Sequence, residues 1–198
     1  MNGKDENKPE IRILKTELVF EGWARCYRAR FEQRRRDGAV QQVNWEYRDN
    51  GEAAAAVPYN PVQDRLVLIR QFRFPAHVAG HRGRLWECCA GIIDAGETPE
   101  DCARREIMEE AGYRAQKMVS HGACFSSPGA LTERVYLFIA EIGAAEPGAG
   151  GGLAHEGEDI EVVEMPRAEA LRLAETGQIV DMKTLLLLQI LQNEYPAR

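Results

Sequence analysis

Three stretches near the start of the chain alternate apolar with polar side chains: Ile11 to Phe20, Ala24 to Phe31 and Val40 to Arg48. Period two puts successive side chains on opposite faces, so each stretch predicts a half-covered strand, and together they predict an antiparallel N-terminal piece. Ala53 to Pro58 and Arg65 to Phe72 are instead continuous apolar runs, separated by Asn60-Pro61 and Asp64, as expected of a central hairpin. Leu85 to Ala90, Val135 to Ile142 and Ile160 to Met165 predict further short strands. The period then lengthens. Ala103, Ile107 and Ala111 recur at helical spacing. Thr98 before Pro99, with Asp101 three residues on, reads as an N-cap, a first-turn proline and an acid folding back as in a capping box. Gly112 supplies the stop, so a helix is predicted from Pro99 to Ala111. Pro166 to Glu175 and Thr184 to Glu194 predict two more helices, the second with a nearly continuous Leu/Ile run that needs partners on several sides. Strands mixed with helices make the chain α/β.

The helix from Pro99 carries an unusual charge pattern. Gly96 to Tyr113 holds six carboxylates and two adjacent arginines. Solvated Glu and Arg pairs at three- and four-residue spacing stabilise a helix by only about 0.2–0.5 kcal/mol each, so a plain charged face is the simplest account. Glu106 and Glu110, however, are like charges four residues apart, which repel unless a cation offsets them. Carboxylate oxygens are the ligands that Mg²⁺ and Mn²⁺ prefer. Glu109 projects between these acids and Arg105, Glu97 lies within reach of Arg105, and Arg105 is suited to orienting carboxylates by bidentate hydrogen bonds.

From Gly91 to Tyr113 the spacing is Gly91, Glu97, then Arg105-Glu106-Ile107, Glu109-Glu110 and Gly112-Tyr113. This resembles a complete Nudix box, the signature of hydrolases that cut a nucleoside diphosphate linked to another moiety; only the final position, usually aliphatic, departs from it as Tyr113. LVLIRQFR at 66–73, Ser127-Pro128-Gly129, EDIEV and TGQIVDMKTLLLL at 176–188 resemble the GDP-mannose and ADP-ribose pyrophosphatase branches. The resemblance implies a Nudix α/β/α sandwich with a mixed central sheet over 51–198, preceded by a dimerising strand region over 1–50. It implies Mg²⁺, with Mn²⁺ as a substitute, held by the carbonyl of Ala90 with Glu106, Glu110 and Glu158, and supported by Glu109 and Arg105. By the same resemblance Arg73 and Lys183 meet the phosphates, Glu133 the sugar, and Trp23 with Glu46 the base, Trp23 coming from the partner subunit of a homodimer.

Gly143 to Ile160 is rich in Gly and Ala and carries Glu156, Glu158 and Asp159. Composition alone reads as a linker. The resemblance makes it a loop that closes over the metal and donates an acid, with Glu158 as the proton acceptor, Glu109 second in that role and Glu156 the alternative loop acid. Glycines that lose much backbone entropy on ordering predict an open loop in the absence of ligand.

The 198 residues, 44% hydrophobic and 28% charged, are enough for one well-buried catalytic core. A net charge of −6 opposes a general nucleic-acid surface and an RNA-decapping role. Five cysteines without Cys-x-x-Cys spacing predict reduced thiols and a cytoplasmic location. No signal peptide or membrane-length apolar run is present, so no membrane partner is expected. His77, His81, His121 and His155 form no zinc pattern. A catalytically silent nucleotide-sugar sensor is the alternative reading, and the full set of box acids speaks against it.

Overall fold

A computed structural model describes residues 10–143, 148–153 and 157–195. By its internal contacts the chain divides into two compact units, one running up to Gly51 and including Ser127–Glu133, the other made of Glu52–Ser126 and the chain from Arg134 onward. The sequence assigned 127–133 to the larger domain. It belongs to the smaller unit because Arg48 and Leu131 form a parallel bridge, with the Arg48 N–H donating to Ala130 O at 2.9 Å and the Thr132 N–H to Arg48 O at 3.1 Å.

The smaller unit is an antiparallel sheet of β1 (Ile11–Glu21), β2 (Arg25–Arg34) and β3 (Val40–Asp49), in that order. Cross-strand aromatic pairs set its register: Tyr27 stacks on Tyr47 at 5.3 Å, and Phe31 meets Trp45 edge-on at 5.4 Å.

The larger unit is built on seven strands: β4 (Ala53–Asn60), β5 (Arg65–Phe72), β6 (Arg84–Glu87), β7 (Cys89–Ile92), β8 (Ala115–Phe125), β9 (Arg134–Ile142) and β10 (Glu161–Pro166). They run in the order β10-β5-β4-β9-β8, with β6 on β5 and β7 on β4; β4 and β9 are parallel. Alternation along β4 divides the core. Ala53, Ala55, Val57 and Tyr59 face Leu66, Leu68, Leu137 and Ile139, and the helices α3 (Arg167–Glu175) and α4 (Met182–Glu194) cover this side with Leu173, Leu187, Leu188 and Leu191. Ala54 and Ala56 point the other way, with Val67, Ile69, Phe138 and Ala140, and are covered by Cys102, Ala103, Ile107 and Ala111. Helices on both faces of a mixed sheet make three layers.

Four details differ from the sequence expectation. The single strand expected over Leu85 to Ala90 is two, because β4 and β5 are paired only at Tyr59–Leu66 and Asn60–Arg65 and then part, leaving β6 to follow one and β7 the other. Strand β8 was not anticipated at all: it is a half-exposed edge with register shifts after Ala115 and Ser120, and Gly122 at φ +80 breaks its alternation. A short helix, α1 (Phe74–Val78), was likewise not foreseen. Finally, the long helix is α2 (Pro99–Glu106) continued by a π-helical turn over Ile107–Ala111. Thr98 caps it by accepting the Asp101 N–H at 3.2 Å, but the Asp101 carboxylate receives the Thr98 hydroxyl at 2.6 Å rather than the N-cap backbone N–H.

Candidate active site

The acids of the box are gathered where α2 passes into its π turn against β7. Such turns recur at functional sites because they change which side chains share a face. Glu110 is 1% exposed, and its Oε2 accepts the Ala90 N–H at 2.9 Å. Glu106 lies against Gly91: a β-carbon there would fall on the Glu106 carboxylate and displace it. Burial raises the pKa of Glu106, and Glu109 and Glu158 add to the rise against the opposing pull of Arg105. Burial also pushes Glu110 well above the ordinary carboxylate value, reinforced by Glu106 and Glu158. Both groups are thus held where their negative charge is unfavourable.

Arg105 organises the remaining carboxylates. Its Nε and Nη2 donate to the two oxygens of Glu97 at 3.0 Å each, and its Nη1 donates to Glu106 at 2.6 Å and Glu109 at 3.1 Å. Its Nη2 also reaches Ile92 O at 3.1 Å. That occupancy makes Arg105 an orienting group. The hydrogen bonds from Arg105 keep the Glu97 pKa below its ordinary value.

Glu158 is half-buried, and its Oε2 accepts the Leu153 N–H at 2.9 Å. The glycines before it make a close approach that the expectation of an open loop did not anticipate. The N–H groups of Gly148, Gly151 and Gly152 donate to the carbonyls of Gly112, Glu110 and Glu109 at 2.7, 2.9 and 3.1 Å. Glu156 and His155 lie outside the described residues.

A second polar cluster lies at β6 and the start of α4. Arg73 pairs bidentately with Glu87, Nε to Oε1 and Nη2 to Oε2 both at 2.9 Å, and Glu87 is 2% exposed. Burial works against the Arg73 charge, yet Glu87, with Glu110 and Asp181 beyond it, holds the guanidinium pKa above its ordinary value. Lys183 Nζ lies 2.7 Å from Asp181 and 3.8 Å from Glu87. Asp181 in turn caps α4, accepting the Thr184 N–H at 3.0 Å and the Thr184 hydroxyl at 2.6 Å. Sequence reasoning missed Glu87 and Asp181. The signals were there: a lone acid within the apolar run Leu85-Trp86-Glu87-Cys88-Cys89, and an Asp three residues before Thr184 at a helix start.

The other expected substrate contacts belong to the smaller unit. Trp23 is 81% exposed in the β1–β2 turn, with the Arg48 guanidinium 4.9 Å from its ring centre. Glu46 accepts two hydrogen bonds from Arg28 on β2, at 2.9 and 2.7 Å. Glu133 accepts from Asn50 Nδ2 at 3.1 Å.

A family model described as the NUDIX domain matches residues 49–187. The chain belongs to the Nudix family. It is similar to GDP-mannose pyrophosphatase of Escherichia coli strain SMS-3-5 / SECEC, 38% identical over 188 residues that cover 94% of this chain and 97% of that one. The GDP-mannose pyrophosphatase of Escherichia coli O1:K1 / APEC is 39% identical over the same shares. A crystal structure of an ADP compounds hydrolase superposes with a TM-score of 0.72 at 22% identity, covering 94% of this chain and 93% of that chain, and so shows the same fold. The Nudix α/β/α sandwich accounts for the three layers, and this Nudix chain is an enzyme.

Among the described residues, no three His, Cys, Asp or Glu groups converge into a ready-made metal centre. The donor chemistry nevertheless fits a hard divalent cation: two largely enclosed carboxylates, Glu106 and Glu110, are kept together against their mutual repulsion beside the Ala90 peptide.

Proposed function

We propose that this enzyme hydrolyses the pyrophosphate of a nucleoside diphosphate sugar, GDP-mannose first, to a nucleoside monophosphate and a sugar 1-phosphate, with Mg²⁺ as cofactor and Mn²⁺ able to replace it. The observation that carries this reading is Glu110, 1% exposed next to Glu106, a placement that is unfavourable without a cation. Similarity to GDP-mannose pyrophosphatases along 94% of the chain supports the substrate class.

In this reading Glu106, Glu110, Glu158 and the Ala90 carbonyl hold the metal. Bound there, Mg²⁺ supplies charge neutralisation at the phosphate oxygens and a more acidic water. Arg105 keeps Glu97, Glu106 and Glu109 in place, and Glu158 accepts the proton of the attacking water, with Glu109 second in that role. Arg73 and Lys183 face the phosphate charge, Glu133 the sugar. Trp23 stacks on the base and Glu46 helps to hold it, with Trp23 coming from the partner subunit of a homodimer. The exposure of Ile13, Phe20 and Trp45 on the small sheet, at 69%, 61% and 58%, supports a second copy covering that surface. Five free cysteines support a reducing, cytoplasmic setting.

The test is a panel of nucleoside diphosphate sugars, GDP-mannose and ADP-ribose among them, assayed with Mg²⁺, with Mn²⁺ and with a chelator. Metal-dependent release of GMP and mannose 1-phosphate is expected; no monophosphate from any member overturns the reading. Light scattering at assay concentration should give the mass of two chains, and an active monomer would remove the homodimer.

A further inference from the structure

The end of the box helix leaves backbone carbonyls without partners along the chain, as every helix C-terminus does. Here the carbonyls of Glu109, Glu110 and Gly112 each receive an N–H from a glycine about forty residues later in the sequence: Gly152 at 3.1 Å, Gly151 at 2.9 Å and Gly148 at 2.7 Å. The approach is too close for any other residue type at key points. A β-carbon on Gly150 would stand 2.7 Å from the Ala111 carbonyl carbon and 3.0 Å from the Ala111 and Glu110 oxygens. One on Gly112, which already needs φ +76 to end the helix, would stand 2.5 Å from Gly148 O. One on Gly152, at φ +79, would stand 2.6 Å from the Glu158 carboxylate. The Ile160 N–H closes the far side of the segment on Gly151 O at 3.3 Å.

We propose that Gly148–Gly152 is a backbone strap that caps the box helix and fixes Glu158 in register with Glu106 and Glu110, with Gly150 as its positioning residue. The peptide units that carry Glu109 and Glu110 are the ones the strap binds, and Leu153, the next residue, holds the Glu158 carboxylate at 2.9 Å. Gly150 and Gly152 therefore serve close packing rather than freedom of the backbone. That Glu158 works in hydrolysis rests on the function proposed above; that the strap is docked does not.

Gly150→Ala and Gly148→Ala separate the idea from a general glycine effect, since among the described residues a β-carbon on Gly148 meets only Gly112 O, at 3.4 Å. Gly150→Ala should lower kcat roughly a hundredfold, the scale of a displacement of about 1 Å, with KM nearly unchanged, while Gly148→Ala stays close to wild type. A readout without substrate or metal is amide hydrogen exchange. In the wild-type protein the Gly151 and Gly152 amides should exchange orders of magnitude slower than in an unfolded chain, and Gly150→Ala should abolish that protection. Unprotected glycine amides in the wild type overturn the strap even if the enzyme turns over, as do equal effects of the two substitutions on kcat. Protected amides in a protein that cleaves no nucleotide sugar would leave the strap standing and remove the proposed function instead.

Discussion

The two faces of the seven-stranded sheet are built from the same strands yet differ in what they tolerate. Toward α3 and α4 the core is large aliphatic groups: Leu66, Leu68, Leu187, Leu188 and Leu191, each 1% exposed or less. Toward the box helix the helix itself contributes Cys102, Ala103, Ile107 and Ala111, and the same side encloses the carboxylate of Glu110. Small side chains bring α2 close to the sheet, and that closeness encloses the acids. One face supplies stability, and the other uses some of it to hold charges out of water.

The largest effect that tests this contrast is on activity. Glu110→Gln keeps the shape and the Ala90 hydrogen bond while removing the charge, so hydrolysis should fall by orders of magnitude with the fold intact. Near-normal turnover in a stable Glu110→Gln protein would leave the two faces functionally alike. The opposite face should answer in the opposite currency. Leu187→Ala opens a cavity under α4 and should destabilise the protein by roughly 2–5 kcal/mol in denaturant melts, with kcat per folded molecule unchanged. A tenfold loss in kcat at full occupancy of the folded state would show that this face also shapes the site.

The same pair of variants should separate by pH. Burial, then Glu106, raises the Glu110 pKa, so its neutral form is favoured by folding. That contribution is complete below the ordinary carboxylate value of the unfolded chain and is lost as pH rises through the higher folded-state value. Metal-free Glu110→Gln should therefore be more stable than metal-free wild type at neutral pH, with the advantage shrinking as the solution is acidified, whereas the Leu187→Ala deficit should hardly vary with pH. Denaturant midpoints measured across that range decide it. An equal stability of the two metal-free proteins at neutral pH would mean that Glu110 is not strained by its enclosure.

Much of this was legible in the sequence where a local rule and a tertiary demand coincide. Thr98, Pro99 and Gly112 mark the ends of the helical segment, and Ala103, Ile107 and Ala111 its buried stripe, because caps and periodicity act over a few residues. The charged cluster was readable for the same reason, since Arg105 reaches Glu106 and Glu109 along one helix. What escaped depends on distant pairing. Nothing near Ala115 announces an edge strand whose register slips twice, and the parting of β4 from β5 that divides Leu85 to Ala90 is a property of the sheet. The glycines at 148–152 were visible but ambiguous: composition does not tell a hinge from a close approach, and only the carbonyls of Glu109, Glu110 and Gly112 resolve it.

The smallest effect expected concerns the start of the box helix rather than its end. Thr98 accepts the Asp101 N–H and donates to the Asp101 carboxylate, both on the exposed surface, and neither group touches Glu106 or Glu110. Losing such a cap costs about 1 kcal/mol, so Thr98→Ala should lower stability by about that much. The acids sit one and more turns further on, anchored by Ala90, Gly91 and Arg105, so fraying at the first turn should not reach them and kcat should stay within about twofold of wild type, a change of less than half a kcal/mol. A large fall in kcat for Thr98→Ala, with the protein still folded, would mean that the helix moves as one rigid body and that its sheet-facing anchors do not fix the acids.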